Sequence, residues 1–575
     1  MRKLGTRISF AEAVAIFALG VGTLAAPTRA QDAAKTPATP TNEQQGTPAQ
    51  SSAPQKPKSS TTCTVDVSPK KYSPALTEAL RLYRTGKFDE SAAAYNSIIS
   101  SGTGGPEEVL AYTGLTRVYL KQERVSDAFA AASKAVALTP GKTPAITALG
   151  EVYFRQGKLQ QAEDSFLGPL KTCDIDARSY LGLARIYRAT SNYKRAKIAV
   201  DQAIKLDADD PDIQRSYMAT LSRSEMVKYL RDYLSRETDD DAEHRRHMEE
   251  QLEVMEDAGR QHKPVCQLVS KVTATQTQLE ALLAGPTQIR GYGLRVKING
   301  ASAKLMLDTG AGGITIDKKV ADKAGIKKIA ESDVRGIGDK GAAAGYFGFV
   351  DSIQIGDLQF EGCYVDVVAR GSVLGDDGLI GADVFENFLV DLDFPDGKFK
   401  LSQLPPYPDE MPQPQQTSLE SEPGRESRRH DRYFAPDMKG YTPIFRFGHM
   451  LLIPTAVNNS PDMLFAMDTG AFDNSITPAT AKQVTKINRD DNFRVKGLSG
   501  DVKDVYVADK ANLRFAHLKQ DRQGLVTFSL DNISKSLGTE VSGTLGFRML
   551  ILLDIKIDYR DGLVNFTYTP IGGNR

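Results

Sequence analysis

The sequence has no tryptophan, only four cysteines and six histidines, and no net charge. Basic and acidic residues number 72 each, so the chain has no overall field that would attract nucleic acid or an anionic membrane. The cysteines are too dispersed for a zinc cluster, and no P-loop or G-x-S-x-G motif is present. These absences predict chemistry that needs no metal or cofactor, in a protein that does not bind nucleic acid.

The N-terminal segment, 1–30, is typical of an export signal. A basic start, MRKLGTR, precedes the apolar run AVAIFALGVGTLAA and the small-residue sequence APTRA, so we expect cleavage after Ala30. This apolar run is shorter than the roughly 20 residues that a membrane-spanning helix needs. The sequence therefore predicts a periplasmic or secreted protein with no membrane span after cleavage, and a retained signal anchor is the alternative.

An oxidising compartment would allow the cysteines to form disulfides. Four cysteines permit three complete pairings, and nothing in the sequence chooses among them. The four are Cys63, Cys173, Cys266 and Cys363.

The chain is too long for one core, because single hydrophobic cores stop growing near about 250–300 residues. Residues 31–72, rich in Pro, Thr, Gln and Ser, cannot offset the entropy of ordering and are predicted to be a disordered linker. The other predicted segments are helical repeats at 73–235, a charged helical connector and lead-in at 236–285, β domains at 286–402 and 440–570, and a polar, Pro-rich linker at 403–439.

A repeat with a period of about 34 residues runs through the helical segment. Tyrosines recur at this spacing, and each is followed nine positions later by an alanine. The pairs are Tyr83 and Ala92, Tyr119 and Ala128, Tyr153 and Ala162, and Tyr187 and Ala196. The pattern resembles the tetratricopeptide repeat, which implies helix hairpins stacked into an α-solenoid and a protein partner bound through the repeats. An ordinary helical bundle is the alternative.

The β segment contains the same series of motifs twice. An apolar strand ends in Asp-Thr-Gly-Ala at 308–311 and again at 468–471. A glycine-rich turn follows each motif, and then an apolar-Gly element that leads into a strand. The glycine of this element, Gly381 in the first copy and Gly546 in the second, follows its aspartate at a similar distance along the chain. The two segments therefore look like copies of one unit.

These motifs resemble the retropepsin-like aspartic proteases, and more loosely the pepsin-like ones. The resemblance implies two all-β acid-protease barrels, fused in tandem, that cleave a peptide or protein substrate. It makes Asp308 and Asp468 the catalytic pair. The supporting residues that it implies are Thr309, Gly310, Thr469 and Gly470 around the acids, Gly336, Gly338, Gly497 and Gly500 in two flaps, and Leu379, Ile380, Gly381, Thr544, Leu545 and Gly546 beneath the acid loops.

Paired carboxylates suit this reaction because two acids a few Å apart share one proton. The ionised acid takes a proton from water, and the protonated acid hydrogen-bonds the oxygen on which charge develops. No covalent intermediate is needed.

The copies differ at two places. Thr544 stands where the first copy has Leu379, and Asp473 stands where it has Gly313. A further carboxylate near the motif would either shift the acidity of the pair or point into solvent. Three alternatives stay open: pairing of the acids within one chain, pairing between two chains, or a non-catalytic scaffold whose repeats bind a partner.

Overall fold

The computed structural model describes residues 72–235 except 103 and 172–174, six residues between 245 and 256, and residues 266–568 except 287, 335, 338–342, 369–376, 411–429, 490–494 and 498–499. The predicted export signal, most of the predicted linker after it, Cys63, Cys173 and Gly338 lie outside the described residues. Among those that are described, no helix is both long enough and apolar enough to cross a membrane.

The N-terminal part is a row of antiparallel helices that matches the predicted repeats. Its helices are α1 (Pro74–Arg84), α2 (Phe88–Ser100), α3 (Pro106–Lys121), α4 (Val125–Leu138), α5 (Thr143–Arg155), α6 (Leu159–Leu170), α7 (Ala177–Ala189), α8 (Tyr193–Leu206), α9 (Pro211–Met218) and α10 (Arg223–Leu234). Their starts follow local sequence: Ser73 caps α1 by accepting a hydrogen bond from Leu76 N at 3.3 Å. Small residues let neighbouring helices touch, since a Cβ on Gly182 would lie 2.4 Å from the Phe166 ring.

A buried ionic network joins the odd-numbered helices. Asp212 of α9 accepts hydrogen bonds from Tyr83 Oη at 2.9 Å and Lys121 Nζ at 2.5 Å. Arg178 of α7 donates to the same carboxylate at 3.1 Å and contacts Glu151 of α5 at 3.6 Å. The first and fifth hairpins thus meet, and the face on which these helices converge is filled by the protein's own charged side chains.

The remainder of the described chain is β-rich. The first β region, residues 266–410, contains β1 (Gln267–Leu268), β2 (Ala274–Gln278), β3 (Glu280–Leu283), β4 (Ile289–Ile298), β5 (Ala301–Asp308), β6 (Ile314–Asp317), α11 (Lys318–Lys323), β7 (Lys328–Val334), β8 (Ala343–Ile355), β9 (Leu358–Val368), β10 (Gly378–Gly381), β11 (Phe388–Asp393) and β12 (Lys398–Gln403). The end of the predicted connector therefore forms strands, β1 to β3.

The second β region, residues 430–568, has a closely similar order of elements. It contains β13 (Thr442–Pro443), β14 (Phe445–Phe447), β15 (Met450–Val457), β16 (Met463–Asp468), β17 (Ser475–Ile476), α12 (Pro478–Val484), β18 (Ile487–Arg489), β19 (Val495–Gly497), β20 (Gly500–Val502), β21 (Tyr506–Phe515), β22 (Leu518–Thr527), α13 (Asp531–Leu537), β23 (Gly543–Gly546), α14 (Phe547–Leu550), β24 (Leu553–Asp558) and β25 (Leu563–Tyr568).

Three larger sheets organise these strands. The first region forms a nine-stranded sheet in the order β1-β9-β6-β10-β5-β4-β8-β7, with β3 beside β4, and the second forms an eight-stranded sheet in the order β14-β15-β16-β23-β17-β22-β21-β18. A six-stranded sheet, β13-β25-β24-β11-β12-β2, joins the regions through the antiparallel pair β11 and β24. The strand pairs define sheets, and the predicted barrels stay a prediction.

The second β region is covered by the helical repeats. Leu451 and Ile453 of β15 belong to a core shared by both β regions. Met450 and Leu452, on the opposite face of the same strand, belong to a second core that includes residues of α5 to α8. Strand β15 is therefore apolar on both faces because the sheet lies between its own core and the repeats.

One disulfide ties the start of the first β region to its sheet. Cys266, just before β1, is bonded to Cys363 of β9, 97 residues later. Strand β1 pairs with β9 beside this bond, with Gln267 opposite Glu361. The bond settles one of the pairings that the sequence left open.

Candidate active site

The two aspartates lie at the ends of equivalent strands. Asp308 ends β5, which pairs in parallel with β10 so that Gly381 lies opposite Asp308. Asp468 ends β16, which pairs in parallel with β23 so that Gly546 lies opposite Asp468. Each apolar-Gly element predicted to underpin an acid loop is therefore a strand hydrogen-bonded to the strand that carries the acid. All of its residues are buried in both copies.

The threonines of the two motifs interlock across the boundary between the β regions. Thr309 N donates to Thr469 Oγ1 at 3.0 Å, and Thr469 N donates to Thr309 Oγ1 at 3.0 Å. Each hydroxyl also donates to a backbone carbonyl of the opposite strand, Met467 O at 2.8 Å or Leu307 O at 2.9 Å. Four buried hydrogen bonds thus fix one loop against the other within a single chain.

The glycines of the motifs bring each carboxylate against the opposite loop. A Cβ on Gly470 would lie 2.3 Å from Asp308 Oδ2, and a Cβ on Gly310 would lie 2.7 Å from Asp468 Cγ. Any side chain at either position would therefore collide with the acid of the other motif. The sequence places a glycine here twice because the backbone must approach a carboxylate.

Backbone amides hold one oxygen of each acid. Asp308 Oδ1 accepts a hydrogen bond from Gly310 N at 2.8 Å, and Asp468 Oδ1 accepts from Gly470 N and Ala471 N, both at 2.9 Å. The other oxygen of each acid, Oδ2, is buried and receives no hydrogen bond from the described residues. Both Oδ2 atoms are therefore available to hydrogen-bond a water molecule or a substrate.

The environment of the pair favours a shared proton. Burial raises the pKa of Asp308 well above its ordinary value, and the nearby charge of Asp468 raises it further. Burial also raises the pKa of Asp468, while amides that donate to its carboxylate oppose that shift. The two carboxyls lie close enough to hydrogen-bond once one is protonated, so they titrate as a pair.

The residues that differ between the copies are accommodated locally. Asp473 pairs with Arg548, whose Nη1 lies 3.2 Å from Asp473 Oδ2. The charge of Asp473 is therefore paired with a guanidinium of the second β region. Thr544 shares a hydrogen bond of 2.8 Å with Ser475 of the adjacent strand, so its hydroxyl is satisfied inside the sheet.

The predicted flaps are two hairpins that touch. The first is formed by β7 and β8, and Gly336 and Ile337 near its tip are buried. The second is formed by β19 and β20, in which Gly497 lies opposite Gly500. A Cβ on Gly497 would lie 2.2 Å from Ile337 O, so the second hairpin packs directly on the first.

Sequence reasoning missed two polar residues beside the acid loops. Asp383 accepts a hydrogen bond from Gly313 N at 3.0 Å, and burial raises its pKa to about 6. Its position just after Gly381 was a usable signal. His449 comes from the second region, and a Cβ on Gly312 would lie 2.8 Å from its Nδ1. No pattern in the sequence connects His449 to a loop so much earlier in the chain.

Comparison with known protein families gives matches in the helical repeats and in the first β region. An aspartyl protease family matches residues 294–384, and tetratricopeptide-repeat families match residues 76–143 and 177–210. A search of curated proteins found no match. The chain is thus similar to tetratricopeptide-repeat proteins in its helical part and to aspartyl proteases in its first β region.

Similar solved structures include two with sequence identity below one fifth. One is a tetratricopeptide-repeat protein of Thermus thermophilus, with 19% identity, a TM-score of 0.26, and 32% of this chain and 96% of that chain covered. The other is MamA, with 17% identity, a TM-score of 0.19, and 33% of this chain and 97% of that chain covered.

Proposed function

We propose that the protein is an exported aspartic-type endopeptidase whose catalytic pair, Asp308 and Asp468, is completed within one chain. The observation that carries the proposal is the mutual approach of the two motifs. Each aspartate lies against the glycine of the other motif, and the two threonines exchange hydrogen bonds across the same boundary. This arrangement supports two tandem protease-like units.

The proposed reaction uses the two Oδ2 atoms as base and acid. The ionised carboxylate takes a proton from water as the water oxygen attacks the peptide carbonyl carbon. The protonated carboxyl hydrogen-bonds the carbonyl oxygen as it gains negative charge. The tetrahedral intermediate then collapses, a proton passes to the leaving amine, the C–N bond breaks, and the pair returns to its singly protonated state. Thr309 and Thr469 hold the acids at a fixed separation throughout.

The proposed substrate is an extended peptide or protein segment. The two hairpins that contain Ile337 and Gly497 offer strand backbone to such a segment, and an extended chain is recognised by adding to strand edges. For the peptide to enter, the contact between the hairpins has to open.

We also propose that the repeats bind a protein partner, as their class does. The face on which the odd-numbered helices converge is filled by the network around Asp212. A partner therefore uses another surface of the repeats.

The test is loss of cleavage on neutralising either acid. Asp308→Asn and Asp468→Asn remove the ionisable pair, and each variant should lower kcat by about a thousandfold or more, while binding of a peptide inhibitor persists. Asp473→Asn is the matched control, because Asp473 lies near the same loop but pairs with Arg548. Turnover of a peptide library that survives both substitutions would show that Asp308 and Asp468 do not catalyse cleavage, and the proposed function would be wrong.

A further inference from the structure

The helical repeats make direct contact with β16, which ends at Asp468, and with the segment that leads into β23, its parallel neighbour. The turn between α5 and α6, taken together with the last two residues of α5 as residues 154–158, packs on the second β region. A Cβ on Gly157 of this turn would lie 3.1 Å from Glu540 O and 3.3 Å from Leu464 Cδ1. Leu464 belongs to β16, the strand that ends at Asp468.

The same turn also holds the segment before β23. Thr539 Oγ1 donates a buried hydrogen bond of 2.8 Å to Phe154 O. Arg155 Nη1 lies 3.7 Å from a carboxylate oxygen of Glu540. Strand β23 begins shortly afterwards at Gly543 and ends at Gly546, opposite Asp468. The repeats therefore contact the start of β16 and the segment immediately before β23.

These contacts are part of a continuous apolar core. Leu464 and Ala466 of β16 share it with Phe154 and Leu159 of the repeats. Ile337, near the tip of the first hairpin, belongs to the same core. A packed interior transmits displacement, because its side chains have no free volume to absorb movement. A shift of the turn would therefore move the strands that lead to the acid.

We infer that the turn 154–158 is a positioning element for catalysis, which sets the placement of Asp468 through Leu464 and the segment 539–541. The inference rests on the proposed peptidase function and adds to it a role for the repeats. Gly157, Phe154 and Thr539 act through β16 and β23 rather than by touching the substrate.

The chain offers a matched pair of glycines for the test. Gly157 and Gly86 stand in corresponding turns of different hairpins, with φ of 71° and 76°. Alanine imposes the same left-handed backbone strain at both positions. At Gly86 a Cβ meets nothing within 4 Å, whereas at Gly157 it meets the second β region. A difference in kcat between Gly157→Ala and Gly86→Ala therefore measures the effect of the contact with the second β region, because the backbone strain is the same in both variants.

The experiment measures kcat and KM of the full-length variants on one cleaved peptide, together with their thermal midpoints. Gly157→Ala should lower kcat by about tenfold to a hundredfold with a smaller change in KM, since small misplacements of catalytic groups cost this much. Gly86→Ala should stay within about twofold of wild type. Thr539→Val, which loses the bond to Phe154 O, should also lower kcat, and Thr539→Ser should restore it. Equal kcat for the two glycine variants would overturn the inference.

A second measurement separates this inference from the proposed function. Hydrogen exchange of the segment 464–471 reports the strand and the amides that donate to Asp468. Gly157→Ala should accelerate exchange there relative to Gly86→Ala, whether or not the wild type cleaves peptides. An inactive wild type with this difference would refute the peptidase and keep the coupling. Unchanged exchange in Gly157→Ala would refute the coupling even in an active enzyme.

Discussion

At the scale of single residues, the site is built by close approach. Glycine at 310 and 470 leaves space for the opposite carboxylate, and threonine at 309 and 469 supplies a hydroxyl that both donates and accepts across the boundary. The aspartates themselves are fully buried. A buried pair of acids holds its proton more tightly than free carboxyls do. Protonation of the acid pair is therefore linked to the stability of the fold.

Because the pKa of Asp308 is raised in the folded protein, its contribution to the free energy of unfolding decreases as pH rises. Between the unfolded pKa, near about 4, and the raised folded pKa, the folded protein binds more protons than the unfolded chain. The stabilisation that protonated Asp308 provides is fully present below its pKa in the unfolded chain, and it is lost as pH rises through its pKa in the folded protein. Asp308→Asn lacks this term, so its free energy of unfolding relative to wild type should increase from about pH 4 to about pH 7. Denaturant unfolding at both pH values measures it, and a pH-independent difference would contradict it.

At the scale of elements, each β region places its acid by pairing two parallel strands. Strands β5 and β10 in one region, and β16 and β23 in the other, meet at an aspartate and a glycine.

The helices of the repeats are held together by polar contacts as well as by apolar packing. Polar side chains on five successive odd-numbered helices meet in a buried network, in which Asp212 carries most of the hydrogen bonds. The arrangement of the hairpins therefore depends on charges as well as on apolar packing.

Removing the charge of Asp212 should destabilise the repeats. Burial alone would raise the pKa of Asp212, but Lys121 and Arg178 hold it well below its ordinary value, so the group is a buried carboxylate at neutral pH. Asp212→Asn leaves both cations without this partner, and breaking a buried ion pair costs about 3–5 kcal/mol. Helix loss followed by circular dichroism in denaturant measures the effect. Asp209→Asn is the control, because Asp209 is largely exposed and should change stability by less than about 0.5 kcal/mol. Equal stability of the two variants would show that the network is dispensable.

At the scale of the whole molecule, the repeats and the β regions form one packed body. The six-stranded sheet joins the two β regions, and the second core joins the repeats to the outer face of β15 and β16. The repeats thus cover an apolar surface that the second β region would otherwise expose. A detachable binding module would not need such a core.

Deleting residues 72–235 should therefore damage the β regions. The deletion exposes Met450, Leu452 and Leu464, which are buried against or beside the repeats, and an exposed apolar patch of this kind promotes association. The truncated protein should be oligomeric by light scattering and should bind a hydrophobic dye. Replacing Leu452 and Leu464 by serine in the truncated chain should reduce both effects. A monomeric truncated protein with full peptidase activity would contradict the prediction.

Much of the site was predictable because its motifs are local and occur twice. The Asp-Thr-Gly-Ala runs, their apolar strands and the later glycine elements are contiguous patterns, and the structure brings them together at two equivalent positions. The flap glycines were only partly informative. Gly497 lies where the hairpins touch, but the glycine-rich sequence does not reveal that Ile337 is the residue it contacts.

The sequence by itself determined the periodic features: the recurring helix hairpins, the alternation of the strands, and two copies of one acid motif. These follow from nearest neighbours along the chain, since side-chain spacing sets which face is apolar. Only the tertiary structure decided that Asp308 meets Asp468, that Cys266 bonds Cys363, and that the repeats cover β15. Each of these depends on strands and helices far apart in sequence packing against one another, which no local spacing encodes.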